Sequence, residues 1–173
     1  MLSVAAGDRS AFEKLVTKYQ KTVINTAFRY TGNPAVAEDL AQDVFIRMYR
    51  AASAYRPEAR FRTWLFTIVR NVCSNYRQRQ GKEDQQVDPS VDPSYSIGPH
   101  NPEEDLIQSE KKKKVRDAVR ALPESLRLPL ILHQFNHMTY DEIGKVMDIS
   151  LAAVKIRIHR ARLALMKELR RLV

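Results

Sequence analysis

The stretch from Thr139 to Arg162, TYDEIGKVMDISLAAVKIRIHRAR, admits few folds besides two helices joined by a tight turn. Thr139 followed three residues later by Glu142 is a capping box, in which each side chain satisfies a backbone N–H at the start of a short helix running to about Met147. Asp148 stands where a left-handed residue is needed, a conformation that Gly takes best and Asp or Asn tolerates. Ile149 anchors the turn and Ser150 caps the second helix. In that helix Val154, Ile158, Ala161 and Leu165 fall within a narrow arc at about 100° per residue and form the core face. Ala152, Ile156, His159, Arg160 and Leu163 lie opposite, with Lys155 and Arg162 on one border and Arg157 on the other. The plain reading of these charges is a solvated basic face. The capped short helix, tight turn and basic second helix together point instead to a helix-turn-helix whose flanks meet phosphates while its centre reaches base edges.

A chain of 173 residues holds one medium domain or two small helical ones near the lower limit for burying a core, and the charge pattern favours two. The formal charge of +9 divides as +7 over residues 1–80, −6 over 81–109 and +8 over 110–173. Two basic lobes flanking an acidic strap imply a polyanion partner, nucleic acid rather than membrane. The single cysteine, Cys73, forms no internal disulfide and falls on an apolar helical stripe, as a buried inert thiol in a reducing compartment does. The opening MLSVAAGDRS has neither a basic leader nor an apolar run of signal-peptide length, and no segment approaches a membrane span. A soluble, cytoplasmic protein without membrane insertion is expected.

Along the chain, the first helix is expected to start near Asp8 or Ser10, with Ser10 and Glu13 in capping-box spacing, and to carry Phe12, Leu15, Val16, Tyr19, Val23 and Ala27 along one side. It ends at Thr31-Gly32. Asn33-Pro34, a cap followed by proline at the first helical position, opens a helix with the stripe Val36, Leu40, Val44 and Met48. The opposite face, with Glu38, Asp39, Gln42, Asp43, Arg47 and Arg50, has the composition of ordinary solvated surface. From Tyr55 to Arg62, YRPEARFR, proline and arginines interrupt the helical pattern. Aromatics among arginines suit single-stranded nucleic acid, where bases stack on rings and arginine holds the backbone, but Phe61 could equally plug the core. Thr63 is expected to cap the next helix, with the stripe Leu65, Ile68, Val69, Val72, Cys73 and Tyr76 and an outer side of Arg70, Asn71, Ser74, Asn75 and Arg77. Trp64, beside the loop, favours core packing over base stacking by its size.

From Gly81 to Asp105, four X-Pro pairs and almost no periodic apolar residues mark a linker. Its carboxylates can fold back onto the basic lobes of the free chain, an attraction that weakens as salt rises. Asn101-Pro102 followed by three acids is expected to start a further helix. Lys111 to Lys114 read as a solvated face. Leu122-Pro123 separates that helix from the next, and Pro129 is expected to kink or restart it. The five glycines are too scattered to cradle a phosphate. His133 and His137 have the spacing of a metal pair, yet no carboxylate or cysteine nearby completes a ligand set, and Asn136-His137 reads as the turn before Thr139. No catalytic constellation assembles from local signals, so neither enzyme activity nor a cofactor is expected.

Five segments carry a resemblance: GDRSAFEKLVTKYQ, GNPAVAEDLAQDVFIRMYRA, FRTWLFTIVRN, ALPESLRLPLILHQF and MTYDEIGKVMDISLAAVKIRIHRAR. With them the chain resembles, over nearly its whole length, the extracytoplasmic-function sigma factors of the bacterial sigma-seventy family. The resemblance implies an all-α fold of two small helical domains joined by a flexible acidic linker. Region two would occupy residues 1–80, the linker 81–105 and region four, with the helix-turn-helix, 106–173. It implies polymerase docking through Asp39, Gln42, Asp43 and Arg47, replacing the solvated-surface reading. It implies minus-ten promoter recognition on the non-template strand through Tyr55, Arg56, Phe61, Trp64, Arg70, Asn71 and Asn75. Minus-thirty-five recognition would fall to Lys155, Ile156, Arg157, His159, Arg160 and Arg162. Core RNA polymerase, promoter DNA and an anti-sigma factor are the implied partners, and stress or envelope promoters the implied targets. Two departures stand out: Ile156 replaces a frequent small hydroxyl residue, which bears on promoter preference, and Asp148 replaces a frequent turn glycine. The competing readings are a stand-alone helix-turn-helix regulator and an RNA-binding or adaptor protein, neither of which needs the AEDLAQDVF and FRTWLF segments.

Overall fold

The computed structural model describes residues 1–58, 60–80 and 113–171, and every regular element among them is helical. A short helix α1, Leu2–Ala5, precedes α2, Arg9–Thr31. Asp8 caps α2 by accepting from the Ala11 N–H at 3.0 Å, so of the two expected starts the aspartate is the one used. Gly32 closes α2 in the left-handed region at φ 75°, with its N–H bonded to the Phe28 carbonyl. A Cβ there would lie 2.3 Å from Arg120 Cδ, so the glycine also makes room for a side chain from the other half of the molecule. Asn33 then caps α3, Pro34–Arg50, through its side-chain oxygen and the Val36 N–H, with Pro34 in the first turn as expected. A 3₁₀ turn, Ala52–Ala54, leads into the loop before α4, Phe61–Gln80.

Thr63 does not cap α4. The helix begins two residues earlier, and Thr63 is a buried first-turn residue whose N–H donates to the Arg60 carbonyl. The inner face of α3 also differs from the expected stripe: Ala37 and Ala41 are buried with Val44 and Met48, while Val36 and Leu40 are half-buried. Small residues on the inside let α3 lie close along α2, its antiparallel neighbour across a two-residue connection. On α4 the wholly buried Phe66 joins Leu65, Val69, Val72 and Cys73, because α4 is covered by α3 on one side and by the helix-turn-helix on the other.

Residues 113–121 are helical and form the described part of α5. Helix α6, Glu124–Gln134, runs through Pro129 without restarting. The residue that follows the Asn136 turn, His137, adopts φ 51°, and α7, Tyr140–Met147, and α8, Leu151–Arg171, complete the chain. The acidic strap at 81–105, its expected fold-back, the helix start at Asn101-Pro102 and the first two lysines of Lys111 to Lys114 lie outside the described residues.

One apolar cluster runs through both halves. Val23 and Tyr30 of α2, Met48 of α3 and Leu65 to Cys73 of α4 are continuous with Ile131 and Leu132 of α6, Ile143 and Val146 of α7, and Val154 and Ile158 of α8. The two lobes expected to bury separate cores therefore share one, with α2 packed on α6 and α4 on α7. Polar groups tie the same seam. Thr26 and Asn136, both buried, exchange side-chain hydrogen bonds at 3.0–3.3 Å. Arg127, 6% exposed, donates to the carbonyls of Tyr30 (3.1 Å), Leu122 (2.8 and 3.2 Å) and Arg120.

Candidate nucleic-acid interface

The second helix of the helix-turn-helix is fixed in rotation by its core face. Val154, Ile158 and Ala161 are at most 1% exposed and Leu165 is partly buried, which leaves Lys155, Ile156, His159, Arg160, Arg162 and Leu163 pointing outward and Arg157 half-buried at the border. The turn that sets the angle between α7 and α8 has Asp148 at φ 54°, ψ 53° and the Ile149 N–H bonded to the Gly144 carbonyl. A Cβ at Gly144 would come within 3.0 Å of the Ile149 carbonyl oxygen, so the close turn depends on that glycine as well as on Asp148. Ser150 caps α8 through the Ala153 N–H at 3.2 Å. All six expected minus-thirty-five residues thus share one helix, five of them exposed.

At the start of α7 the capping box is complete. Glu142 N–H donates to the Thr139 hydroxyl at 3.2 Å, while the Glu142 carboxylate accepts from the Thr139 N–H at 2.9 Å and hydroxyl at 3.1 Å. The same carboxylate meets Arg60 of the loop before α4 at 3.4 Å. The Thr139 backbone N–H above all, then the hydroxyl and Arg60, hold the Glu142 carboxyl below its ordinary value of 4.5. An unfolded glutamate takes up its proton near that value and the folded one only at lower pH. The stabilisation is therefore complete above 4.5 and lost as pH falls through the depressed folded value. Glu142→Gln keeps the cap acceptor but removes the charge. The urea midpoint of the variant should lie below that of the parent at neutral pH, and the gap should close on acidification below 4.5.

Where the loop meets the start of α4, Tyr55, Phe61 and Trp64 form one cluster of rings with Tyr19 of α2. Tyr55 stands edge-on to Trp64 at 5.0 Å and to Phe61 at 6.2 Å, and Phe61 also meets Trp64 at 5.9 Å and Tyr19 of α2 at 5.3 Å. Tyr55 is buried and Phe61 and Trp64 half-buried, so the first supports the loop from inside while the other two retain free edges. Both sequence readings of Phe61 thus have a place: part of its ring plugs the core and part remains accessible. Arg56 is exposed and bends back to donate to the Ser53 and Tyr55 carbonyls. Asn71 and Asn75 are exposed one turn apart on the outer face of α4, and Arg70 beside them is half-buried.

On α3, Asp39 and Gln42 are exposed, and Asp43 pairs with Arg47 at 2.9 Å along the helix edge. Two residues that the sequence reading did not single out stand beside them: Ile46 and Tyr49 are 49% and 50% exposed, with Tyr49 edge-on to Phe12 at 5.0 Å. Their signal was present, since both fall outside the apolar stripe of α3. Aromatic side chains are enriched in protein-docking faces relative to the rest of a protein surface. Among the described residues no group of His, Cys, Asp or Glu side chains could hold a metal, and no helix is long and apolar enough to cross a membrane. His133 instead places Nδ1 3.2 Å from the Met138 carbonyl and its ring against Tyr140.

Comparison with known proteins bears on both halves. Residues 15–83 match the family model for sigma-70 region 2, and residues 112–165 match that for sigma-70 region 4. The RNA polymerase sigma-H factor of Pseudomonas aeruginosa is 33% identical, over 98% of this chain and 92% of its own. The ECF RNA polymerase sigma-E factor of Haemophilus influenzae is 33% identical over 92% of this chain and 87% of its own, and that of Escherichia coli is 34% identical over 94% and 88%. The fold is shared with CnrH, solved in complex with the cytosolic domain of CnrY (TM-score 0.71, 24% identity, 96% of this chain and 92% of that one). It is also shared with RpoE of Bartonella quintana, solved with the anti-sigma factor NepR (TM-score 0.72, 22% identity, 92% and 97%). Matched in both regions and along nearly its whole length, the chain belongs to the sigma-70 family as an extracytoplasmic-function sigma factor, a non-enzymatic protein that directs promoter-specific initiation of transcription.

Proposed function

We propose that residues 1–80 act as region two and residues 106–173 as region four, with 81–105 as the connection between them. In this reading Asp39, Gln42, Asp43 and Arg47, with the exposed Ile46 and Tyr49 beside them, dock on core RNA polymerase. Asn71 reads a minus-ten base, and Arg56, Arg70 and Asn75 hold the strand over the ring cluster of Tyr55, Phe61 and Trp64. Lys155, Ile156, Arg157, His159, Arg160 and Arg162 meet the minus-thirty-five duplex. The observation that carries this reading is the rotation of α8, whose buried Val154, Ile158 and Ala161 leave the basic residues and Ile156 facing solvent. The partner that restrains the chain is an anti-sigma factor, by analogy with the relatives solved in complexes, and its compartment is the cytoplasm. A stand-alone regulator would use α7 and α8 alone, which leaves the region 2 match unexplained.

Transcription of a promoter library with purified core polymerase, with and without this chain, tests the reading. Initiation should become selective for promoters sharing both elements, and unchanged initiation across the library would refute it. Within that assay Asn71→Ala should relax preference at one minus-ten position and leave polymerase affinity intact, because an amide offers a donor and an acceptor to a base edge. A uniform loss at every base would assign Asn71 to strand binding instead.

A further inference from the structure

Helix α2 carries a basic face outside the residues assigned above to polymerase or promoter. At 3.6 residues per turn, Lys14, Lys18, Lys21 and Asn25 fall within roughly 60° of one another, opposite the wholly buried Val23, and all four are exposed. Like charges at this spacing repel and weaken a helix, a cost that a solvated face usually offsets with carboxylates one turn away. Here α2 has a single acid, Glu13, near its N-terminal end. Among the described residues none of the three lysines pairs with a carboxylate. At 1.5 Å per residue, Lys14 to Lys21 therefore present unneutralised positive charge along about 10 Å of helix. The position of that charge decides what it can serve. The Lys18 ammonium lies 5.6 Å from the Tyr19 ring centroid, and Tyr19 meets Phe61 at 5.3 Å, beside Trp64. The basic face thus begins where the ring cluster ends. Rings for bases followed by cations for phosphates are the two components of a surface that holds a single strand.

We infer that Lys14, Lys18 and Lys21 form a further binding site, one for the phosphates of the single strand that leaves the ring cluster. This rests on the minus-ten reading above. In that reading the minus-thirty-five side stays duplex, so the strand that crosses α2 is the one downstream of the minus-ten bases. Lysine suits the task, since a compact charge on a flexible stem can follow a strand whose phosphates have no fixed geometry. The site is blind to base identity, because it meets the backbone alone. It adds affinity once the strand is free and leaves the choice of promoter to the residues that touch bases.

Binding of fork-shaped promoter DNA to core polymerase carrying the full-length chain tests the site. The forks share a duplex with the minus-thirty-five element and a single-stranded minus-ten element. They differ only in whether that strand stops there or continues downstream by about six nucleotides. With the parent chain the continuation should tighten binding about tenfold and steepen the salt dependence by about 2, as three phosphates at ~0.7 each require. The triple variant Lys14→Gln, Lys18→Gln, Lys21→Gln should gain less than about twofold from the same continuation, with its preference among minus-ten bases unchanged. The charge-keeping triple variant Lys14→Arg, Lys18→Arg, Lys21→Arg should gain as the parent does. Equal gains for the parent and the glutamine variant would overturn the site, and so would loss of the gain in the arginine variant. Weaker binding of the glutamine variant to core polymerase without DNA would also overturn it, by making the face a contact for an acidic protein surface. The short fork separates the two readings. If the parent shows no preference among minus-ten bases there, the minus-ten assignment fails, whereas an intact preference with no gain from the continuation sinks only the lysine site.

Discussion

Replacing Arg127 with alanine should destabilise the free chain by about 3–5 kcal/mol, a large share of the stability of a domain this size. The guanidinium is buried and donates to the main-chain carbonyls of Tyr30, Leu122 and Arg120, which lie at the ends of α2 and α5. Carbonyls at a helix C-terminus have no intrahelical partner and carry the negative end of the dipole, so a buried cation there supplies both hydrogen bonds and charge. Removing it leaves several acceptors dry at once. Arg127→Lys should recover little, because an ammonium cannot serve three diverging carbonyls as a planar fork does. Urea unfolding at unchanged slope provides the measurement, and a loss below ~1 kcal/mol would mean that water replaces the side chain in solution.

On the functional side, Arg160→Ala and Lys155→Ala should fail differently. Both side chains are exposed on α8, but Arg160 lies nearer the centre of the outward face and Lys155 at its border. Arg160→Ala should cost roughly 1–3 kcal/mol of minus-thirty-five binding and relax preference at one base pair. Lys155→Ala should weaken all sequences alike and lower the salt slope by about one. Salt titrations of each variant on matched and mismatched duplexes separate the cases, and equal slopes with unchanged affinity would exclude both roles. Ile156, 51% exposed between them, presents an aliphatic group to solvent, so a thymine methyl is the base feature it can meet.

Local chemistry was legible in the amino-acid sequence wherever its cause lies within about one helical turn. The Thr139–Glu142 box, the left-handed Asp148, the Ser150 cap, Gly32 and the Asn33-Pro34 start all stand where their residue types require. The core face of α8 followed from its period alone. A helix start was misread where a competing local signal existed: Thr63 has cap chemistry, but the loop geometry at Arg60 begins α4 first, while of the two starts offered for α2 Asp8 is the one used. Periodicity also misplaced burial on α3 and overlooked Phe66, because a single stripe describes a helix with one neighbour and these helices have two.

Tertiary structure alone decided the seam. Thr26 and Asn136 are 110 residues apart and Arg127 and Tyr30 are 97 apart, and none of these residues departs from what an ordinary surface or helix-end position carries. Aromatic Tyr55 shows the same limit, since only packing against Trp64, Phe61 and, through Phe61, Tyr19 turned a loop residue into the loop's support. Caps and stripes are set by the geometry of one backbone segment and recur in any chain that carries them. The pairing of two lobes depends on the complementary shape of faces that exist only after each lobe has folded, and no local pattern of residues encodes it.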